Sequence, residues 1–403
     1  MPPRALGLAL GLLAAACARP SQPVSPAVAP RRTLACMIMP DSAGPSRPIT
    51  AAFDDPAEAR VSRLAASRLT PVRLDCEGRP MPGLAGRWSA DTSGRFWTLD
   101  LAAAASPASG DQPRWTAAAL AATWRADPDA SLVLRDAGVV SLLPLDDVRL
   151  VGGFVAPMRE LPAVFAERAL GVASGRPDPL IDQTPTTGDL RDAIDAGVDL
   201  VVSGDPDLLE YAGRRPGRTR IPLPWSHLYL LLLPAGAAVG AVLPADTTEF
   251  RAALAQNAVR TDARAAGPSS WPDSAARCAS APMPAGSPSK AIAYPAGDST
   301  ARELAERLVA VAAPGALTVR PLLPDSFAPA LRRSEAAEFI VRGPLTAPTP
   351  CVESSGWPAG ARVVPLVETR AHAVVRRGAP PMVVELDGAV RPAEPADTAG
   401  TVP

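Results

Sequence analysis

The stretch that decides the fold runs from Arg79 to Leu101, R-P-M-P-G-L-A-G-R-W-S-A-D-T-S-G-R-F-W-T-L-D-L, and resumes at Arg114–Trp124 as R-W-T-A-A-A-L-A-A-T-W. Met81–Trp88 is an apolar approach punctuated by proline, and Ser89–Gly94 is a turn cluster. Arg95–Leu101 then alternates Phe96, Thr98 and Asp100 with Trp97, Leu99 and Leu101, the pattern of a strand with one face buried. Beyond the Ser/Pro/Gly loop Ser106–Pro113, Thr116 is placed to cap a helix whose apolar stripe includes Leu120 and Trp124.

Working outward, the same signals recur. Arg32–Met39 reads as an opening strand. Asp55–Leu69 carries Val61, Leu64, Ala65 and Arg68 at helical spacing. Val139–Leu145 and Val148–Val151 are β-rich runs. Asp189 caps a helix through Ile194, Gly197 stops it, and Val198–Ser203 is a short buried strand. Asp205-Pro206 opens another helix, with proline in the first helical position. Arg220–Pro234, R-I-P-L-P-W-S-H-L-Y-L-L-L-L-P, reads as one strongly apolar strand. Lys290–Tyr294, Asp298–Ala312, Leu317–Leu322, Phe327–Arg333 and Phe339–Val341 alternate strand and helix, the pitch of a parallel α/β unit. Val363–Val367, His372–Val375 and Met382–Glu385 close the chain as strands, and Pro392–Pro403 reads as a disordered tail.

Composition narrows the function. The chain has 403 residues, 47% of them hydrophobic, enough for two or three cored domains. Its 48 prolines are scattered among apolar runs, which fits a loop-rich globular chain. Forty basic residues face 41 acidic ones with no long block of one sign, which argues against a nucleic-acid groove or a polybasic membrane patch. No nucleophile elbow, phosphate loop, dinucleotide fingerprint or paired metal-ligand motif occurs, and there are only two histidines, His227 and His372. No catalytic residue, metal ligand or cofactor is nominated, and binding is the class that remains.

The ordered set Pro82, Leu84, Ala85, Trp88, Gly94, Trp97, Thr98, Leu99, Thr116, Ala117 and Trp124 resembles the extracellular solute-binding proteins of family 5, which serve dipeptide and oligopeptide ABC importers. Asp75 and Gly78 extend the match upstream, and Ala119-Leu120 stands where that family has an acidic residue before a helical valine. Leu161–Leu170 resembles the family's helix closing the N-terminal subdomain. Phe250–Asp262 resembles its Val-Arg-x-Ala-Leu helix through Phe250, Arg251, Ala253, Leu254, Ala258 and Val259.

The resemblance implies an α/β, two-lobed, periplasmic-binding-protein-like fold of class II, peptide-binding type, with mixed sheets and hinge strands. Lobe I would span 32–233, a reduced lobe II 234–354, and 355–391 would return to lobe I. It also implies capture of a peptide or small organic solute for an ABC transporter permease by a monomer. The alternative is a structural or regulatory lipoprotein that keeps the fold without capture.

Arg4 and the apolar run Ala5–Ala16 form a secretory leader ending Leu13-Ala14-Ala15-Ala16-Cys17. That ending resembles a lipoprotein box over residues 1–17. Cys17 would then be the lipidated mature N-terminus, residues 18–31 a Pro/Ser-rich tether, and the protein exported to the periplasm or cell surface and anchored to the membrane. Ordinary cleavage after the alanines is the other reading. Cys36, Cys76, Cys278 and Cys351 form an even set that allows three pairings in an oxidising compartment. Keeping each bridge within one lobe favours Cys36–Cys76 and Cys278–Cys351.

In a two-lobed binder, residues beside the crossover strands are the natural ligand contacts. Trp225, His227 and Tyr229 stand at i, i+2 and i+4 and would share one face of a hinge strand, with Leu228 and Leu230 turned into the core. Asp205, at the end of a buried strand, could pair with a ligand amine. The competing readings are packing roles for Trp225 and Tyr229 and a helix cap for Asp205. Trp88, Trp97, Trp115 and Trp124 read as core, and His372 as structural.

Overall fold

The computed structural model describes residues 36–38, 47–101, 115–173, 180–182, 189–234, 247–267, 290–312, 315, 317–345, 357–358 and 360–393. The expectations for Cys17, the tether, Cys278–Cys351 and the tail beyond Ala393 lie outside them, whereas Pro392, expected to open that tail, ends a strand, Val390–Pro392, held by its ladder to Met382.

In chain order, β1 (Ile49–Phe53) leads into α1 (Pro56–Ser67). Then come β2 (Arg87–Ala90), β3 (Phe96–Asp100), α2 (Ala117–Ala126), α3 (Pro128–Asp136), β4 (Val139–Pro144) and β5 (Arg149–Phe154). The strands β2 to β5 form an antiparallel sheet in the order β2-β3-β5-β4. Its inner face is set by the alternation read from the sequence: Trp97, Leu99 and Leu101 are buried, whereas Phe96 is half exposed. Thr116 caps α2, its hydroxyl accepting from Ala119 N at 3.1 Å, and Leu120 and Trp124 pack inward with Trp88 and Trp97. The helix expected over Leu161–Leu170 is instead two short 3-10 turns, Ala163–Ala166 and Arg168–Leu170. Glu167 between them is extended, with ψ 135°, so no α-helical ladder starts.

A second first-lobe sheet is built from β6 (Leu180–Asp182), α4 (Leu190–Asp195), β7 (Leu200–Ser203), α5 (Pro206–Gly213) and β8 (Arg218–Pro222). The chain then enters the second lobe through β9 (His227–Leu233), α6 (Thr248–Asn257), β10 (Ala263–Ala265), β11 (Ala291–Pro295) and α7 (Ser299–Val311). It continues through β12 (Thr318–Leu322), α8 (Pro324–Arg333), β13 (Glu338–Pro344) and β14 (Arg362–Thr369) before β15 (His372–Arg376) returns. The first-lobe order is β6-β1-β7-β15-β8, with β1 parallel to both β6 and β7. The second-lobe order is β10-β14-β9-β13-β11-β12, with β11 parallel to β12 and β13, as the strand–helix alternation implied.

This register moves the lobe boundaries. Arg220–Pro234 is two strands: Pro222 and Pro224 lack the N–H that a continuous ladder needs, and Leu223–Ser226 carries the chain across. His227–Leu233, expected in lobe I, is central in the second sheet, flanked by β13 and β14. Arg362–Thr369, expected within the return, is its other neighbour there, so the chain goes back only at Arg370–Ala371. Both faces of β9 are covered. Leu228, Leu230 and Leu232 pack with Phe339 and Leu331, and Tyr229, Leu231 and Leu233 with Leu304 and Leu308. A run apolar on both faces is what a central α/β strand requires.

The opening strand is short, Met37–Ile38, and pairs with Met382–Val384. Beside it Cys36 and Cys76 are bridged, with Cα atoms 5.4 Å apart, the first of the two expected pairings.

Candidate ligand-binding site

Among the described residues, two segments join the lobes, Leu223–Ser226 and Arg370–Ala371, and the polar groups of interest gather beside them. In the first lobe β1 and β7 are adjacent and parallel, and each ends in an acidic turn that starts a helix. The crevice outside the carboxyl ends of such strands is where open α/β sheets hold ligands. At the end of β1, Asp54 N donates to Val202 O at 2.9 Å, and the Ser203 hydroxyl donates to Asp54 Oδ2 at 2.9 Å. Burial holds the Asp54 carboxyl above its ordinary range, with the Ser203 bond acting the other way. Asp55 and Glu58 follow at the start of α1.

The second lobe presents Arg342 from β13 to these acids. Its guanidinium donates to Asp55 Oδ2, and to Glu58 Oε1 at 3.1 Å. Burial pushes the Glu58 carboxyl up to about 7, Arg342 offsetting this only in part. His227 lies 3.8 Å from Glu58 and bonds Ser226 Oγ at 2.9 Å through Nδ1. Burial, assisted by Arg342, pushes His227 down to about 3, so its imidazole is neutral at pH 7. Asp298 caps α7 through Ala301 N at 2.8 Å and accepts the Tyr229 hydroxyl at 3.1 Å. Burial raises its carboxyl as well. The junction thus holds four carboxyl groups, one guanidinium and one neutral imidazole. It offers hydrogen bonds of both senses, the Ser226 hydroxyl and the His227 imidazole among them.

The residues expected from the sequence are distributed differently from a single strand face. Trp225 precedes β9, in the crossing itself, with the Arg264 and Arg370 guanidiniums 4.5 and 4.7 Å from its ring centroid. Glu368 accepts from Arg264 at 2.6 Å and Asp262 from Arg370 at 3.0 Å. Tyr229 is 3% exposed and belongs to the core beneath α7, because β9 is covered on both sides. Two of the three reach the acidic cluster, His227 beside Glu58 and the otherwise buried Tyr229 through its hydroxyl on Asp298. Asp205 is exposed and caps α5, accepting from Asp207 N at 2.8 Å. His372 is buried on β15, 3.4 Å from Asp262 and 3.1 Å from Arg220.

Asp55, Glu58, Asp298 and Arg342 were not singled out from the sequence. The available signal was a repeated order, a short apolar run, then an acidic residue and a helix, directly at Asp54-Asp55-Pro56 and after the turn Pro295-Ala296-Gly297 at Asp298. Among the described residues no group of His, Cys, Asp and Glu side chains is arranged to hold a metal, and no helix is long and apolar enough to cross a membrane.

Compared with known proteins, the chain matches no family model and no curated protein. It does match solved structures. One is the dipeptide-binding protein from Pseudoalteromonas sp. SM9913 in complex with Met-Leu, with TM-score 0.57 and 10% identity over 85% of this chain and 98% of that one. The murein tripeptide binding protein MppA of Escherichia coli gives TM-score 0.52 and 12% identity over 83% and 95%. MoaA from A. tumefaciens R10, in complex with mannopinic acid, gives 0.55 and 13% over 82% and 94%. At these identities the likeness establishes the fold, a two-lobed periplasmic-binding-protein architecture of mixed sheets.

Proposed function

We propose that this chain is an extracytoplasmic solute-binding lipoprotein that captures a peptide or small organic solute between its lobes for an ABC importer. The observation that carries the reading is the convergence of strand-end helices α1 and α7 from opposite lobes on one polar junction beside two crossings. That is the layout a hinge-closing binder needs, and the fold is shared with proteins that hold Met-Leu, a murein tripeptide or mannopinic acid. The last of these keeps non-peptide organic solutes within the proposal. His227, Asp55, Glu58 and Asp298 would contact the solute, and Trp225 would border it from the hinge. Asp205 would act as a helix cap. Neither catalysis nor a cofactor enters the proposal. Attachment through Cys17 and a permease partner belong to it and are tested by the mass of the mature N-terminus and by co-purification.

One observation favours the second reading, a scaffold that no longer captures: Arg342 already bridges the lobes through Asp55 and Glu58. A thermal-shift screen with dipeptides, tripeptides and opine-like solutes separates the two. A captured solute at 100 times its dissociation constant adds about 2.7 kcal/mol to stability. A flat response across the library would support the scaffold.

A further inference from the structure

Among the described residues, two arginine–carboxylate contacts between the lobes differ in kind. Arg260 of the second lobe donates to Asp207 of the first at 2.9 Å, but both side chains are more than half exposed and the pair is screened. Arg342 is different. Its side chain is 25% exposed, and its partners Asp55 and Glu58 are 22% and 16% exposed. Each terminal nitrogen takes a separate carboxylate, and its Nε is buried without a partner. Arg342 stands opposite Tyr229 on β9, two positions along the ladder from the His227–Pro344 pair that borders the crossing. Opening the lobes about that crossing would part β13 from α1 and so break the Arg342 contacts.

The charge count around this contact is lopsided. Asp54, Asp55 and Glu58 come from the first lobe and Asp298 from the second, with His227 neutral and Tyr229 un-ionised beside them. Arg342 is the cation they share, and their combined field holds its guanidinium firmly charged despite burial. Without it, Asp55 of the first lobe and Asp298 of the second, whose charges already oppose one another, would face each other across the cleft. Like charges so placed repel and would drive the lobes apart.

We propose that Arg342 is a latch. Its pairing with Asp55 and Glu58 holds the lobes closed in the absence of any solute, and the cleft opens only when Arg342 leaves them. The contact is self-inhibitory: solute enters only the fraction of molecules whose latch is undone, so apparent affinity is reduced by that fraction. The latch requires two lobes and a hinge, and it stands whatever the solute proves to be.

The test uses the full chain without ligand. Spin labels attached through non-cysteine chemistry at the exposed Glu210 of α5 and Glu306 of α7 report the distance between lobes. The native chain should show mainly the short separation. Arg342→Met should raise the ratio of open to closed molecules by about tenfold, equivalent to 1.4 kcal/mol. The double variant Asp55→Asn/Glu58→Gln should do the same, and adding Arg342→Met to it should change little further, because the three side chains act as one unit. Exchanging charges, Asp55→Arg with Arg342→Asp, should restore the short separation. An unaltered distance distribution in Arg342→Met would overturn the latch, even if its melting temperature falls. So would effects of the arginine and acid variants that simply add.

Discussion

Glu338 shows how a single side chain can set the pH dependence of a lobe. It opens β13 at 4% exposure, and its Oε2 has no hydrogen-bond partner. Burial alone pushes its carboxyl up to about 7. The folded state therefore holds this proton more tightly than the unfolded chain does. Its contribution is most favourable below the unfolded value of 4.5 and is lost as pH rises through 7. Glu338→Gln keeps a neutral side chain at every pH. The variant should gain on the native protein between pH 5 and pH 8, by up to roughly 3 kcal/mol at 1.36 kcal/mol per pKa unit. Denaturant titrations at the two pH values measure this, and parallel losses in both proteins would contradict it.

Glu385 has the opposite sign. Burial works against its charge, but Arg168, Arg391 and Arg73 draw it down to about 2, so its stabilisation is present above pH 4.5 and lost as pH falls through 2. Tyr229 illustrates a residue whose chemistry the sequence offered but whose place it did not. Tyr229→Phe should cost about 1–2 kcal/mol, from the broken bond to Asp298 and the carboxyl left short of a donor. Ligand affinity should be unchanged once the folded fraction is taken into account. The Arg342 contacts were beyond reach of any local reading, because Asp55 and Glu58 lie 287 and 284 residues away along the chain.

At the scale of elements, local patterns were readable where one face meets water. The alternation in β3 and the Thr116 cap of α2 both appear in the structure, because each depends on neighbours within a few residues. Arg220–Pro234 was not readable in the same way. Apolar residues fill both faces of β9, so hydrophobicity ran on through the crossing, and only Pro222 and Pro224 marked the break.

The crossing is braced by Trp225, whose ring is approached by Arg264 from β10 and by Arg370 from the returning segment. Two cation–π contacts of roughly 0.5–1 kcal/mol each, with some lost burial, set the cost of Trp225→Ala at about 1–3 kcal/mol. Hydrogen exchange in that variant should quicken at Leu223–Ser226 and Arg370–Ala371 ahead of the sheets. Uniform acceleration across both lobes would show that Trp225 serves the global fold rather than the hinge. The Cys36–Cys76 bridge closes a loop of 40 residues, and its loss should cost about 4 kcal/mol on the chain-entropy argument. Comparing Cys36→Ser/Cys76→Ser with the native chain by denaturant titration checks that figure.

For the molecule as a whole, the order of elements carried the two-lobed fold, and the strand–helix alternation after Lys290 correctly gave a parallel unit. The lobe limits depended on which strands pair, which lies in tertiary register and not in local pattern. Hence β9 and β14 changed lobes when the sheets were seen. The groups proposed to contact solute likewise come from helix N-termini of both lobes and not from one aromatic strand face.

Capture between the lobes is therefore the central claim, and amide hydrogen exchange tests it most directly. The protein is compared with and without a saturating pool of dipeptides, tripeptides and opine-like solutes. Bound solute should slow exchange together at the start of α1 around Asp55–Ala59, at the start of α7 around Asp298–Arg302, and at the crossing Leu223–Ser226. Exchange in the distant β2-β3-β5-β4 sheet should stay as it was. Protection confined to one lobe, or no protection under a saturating pool, would contradict capture between the lobes.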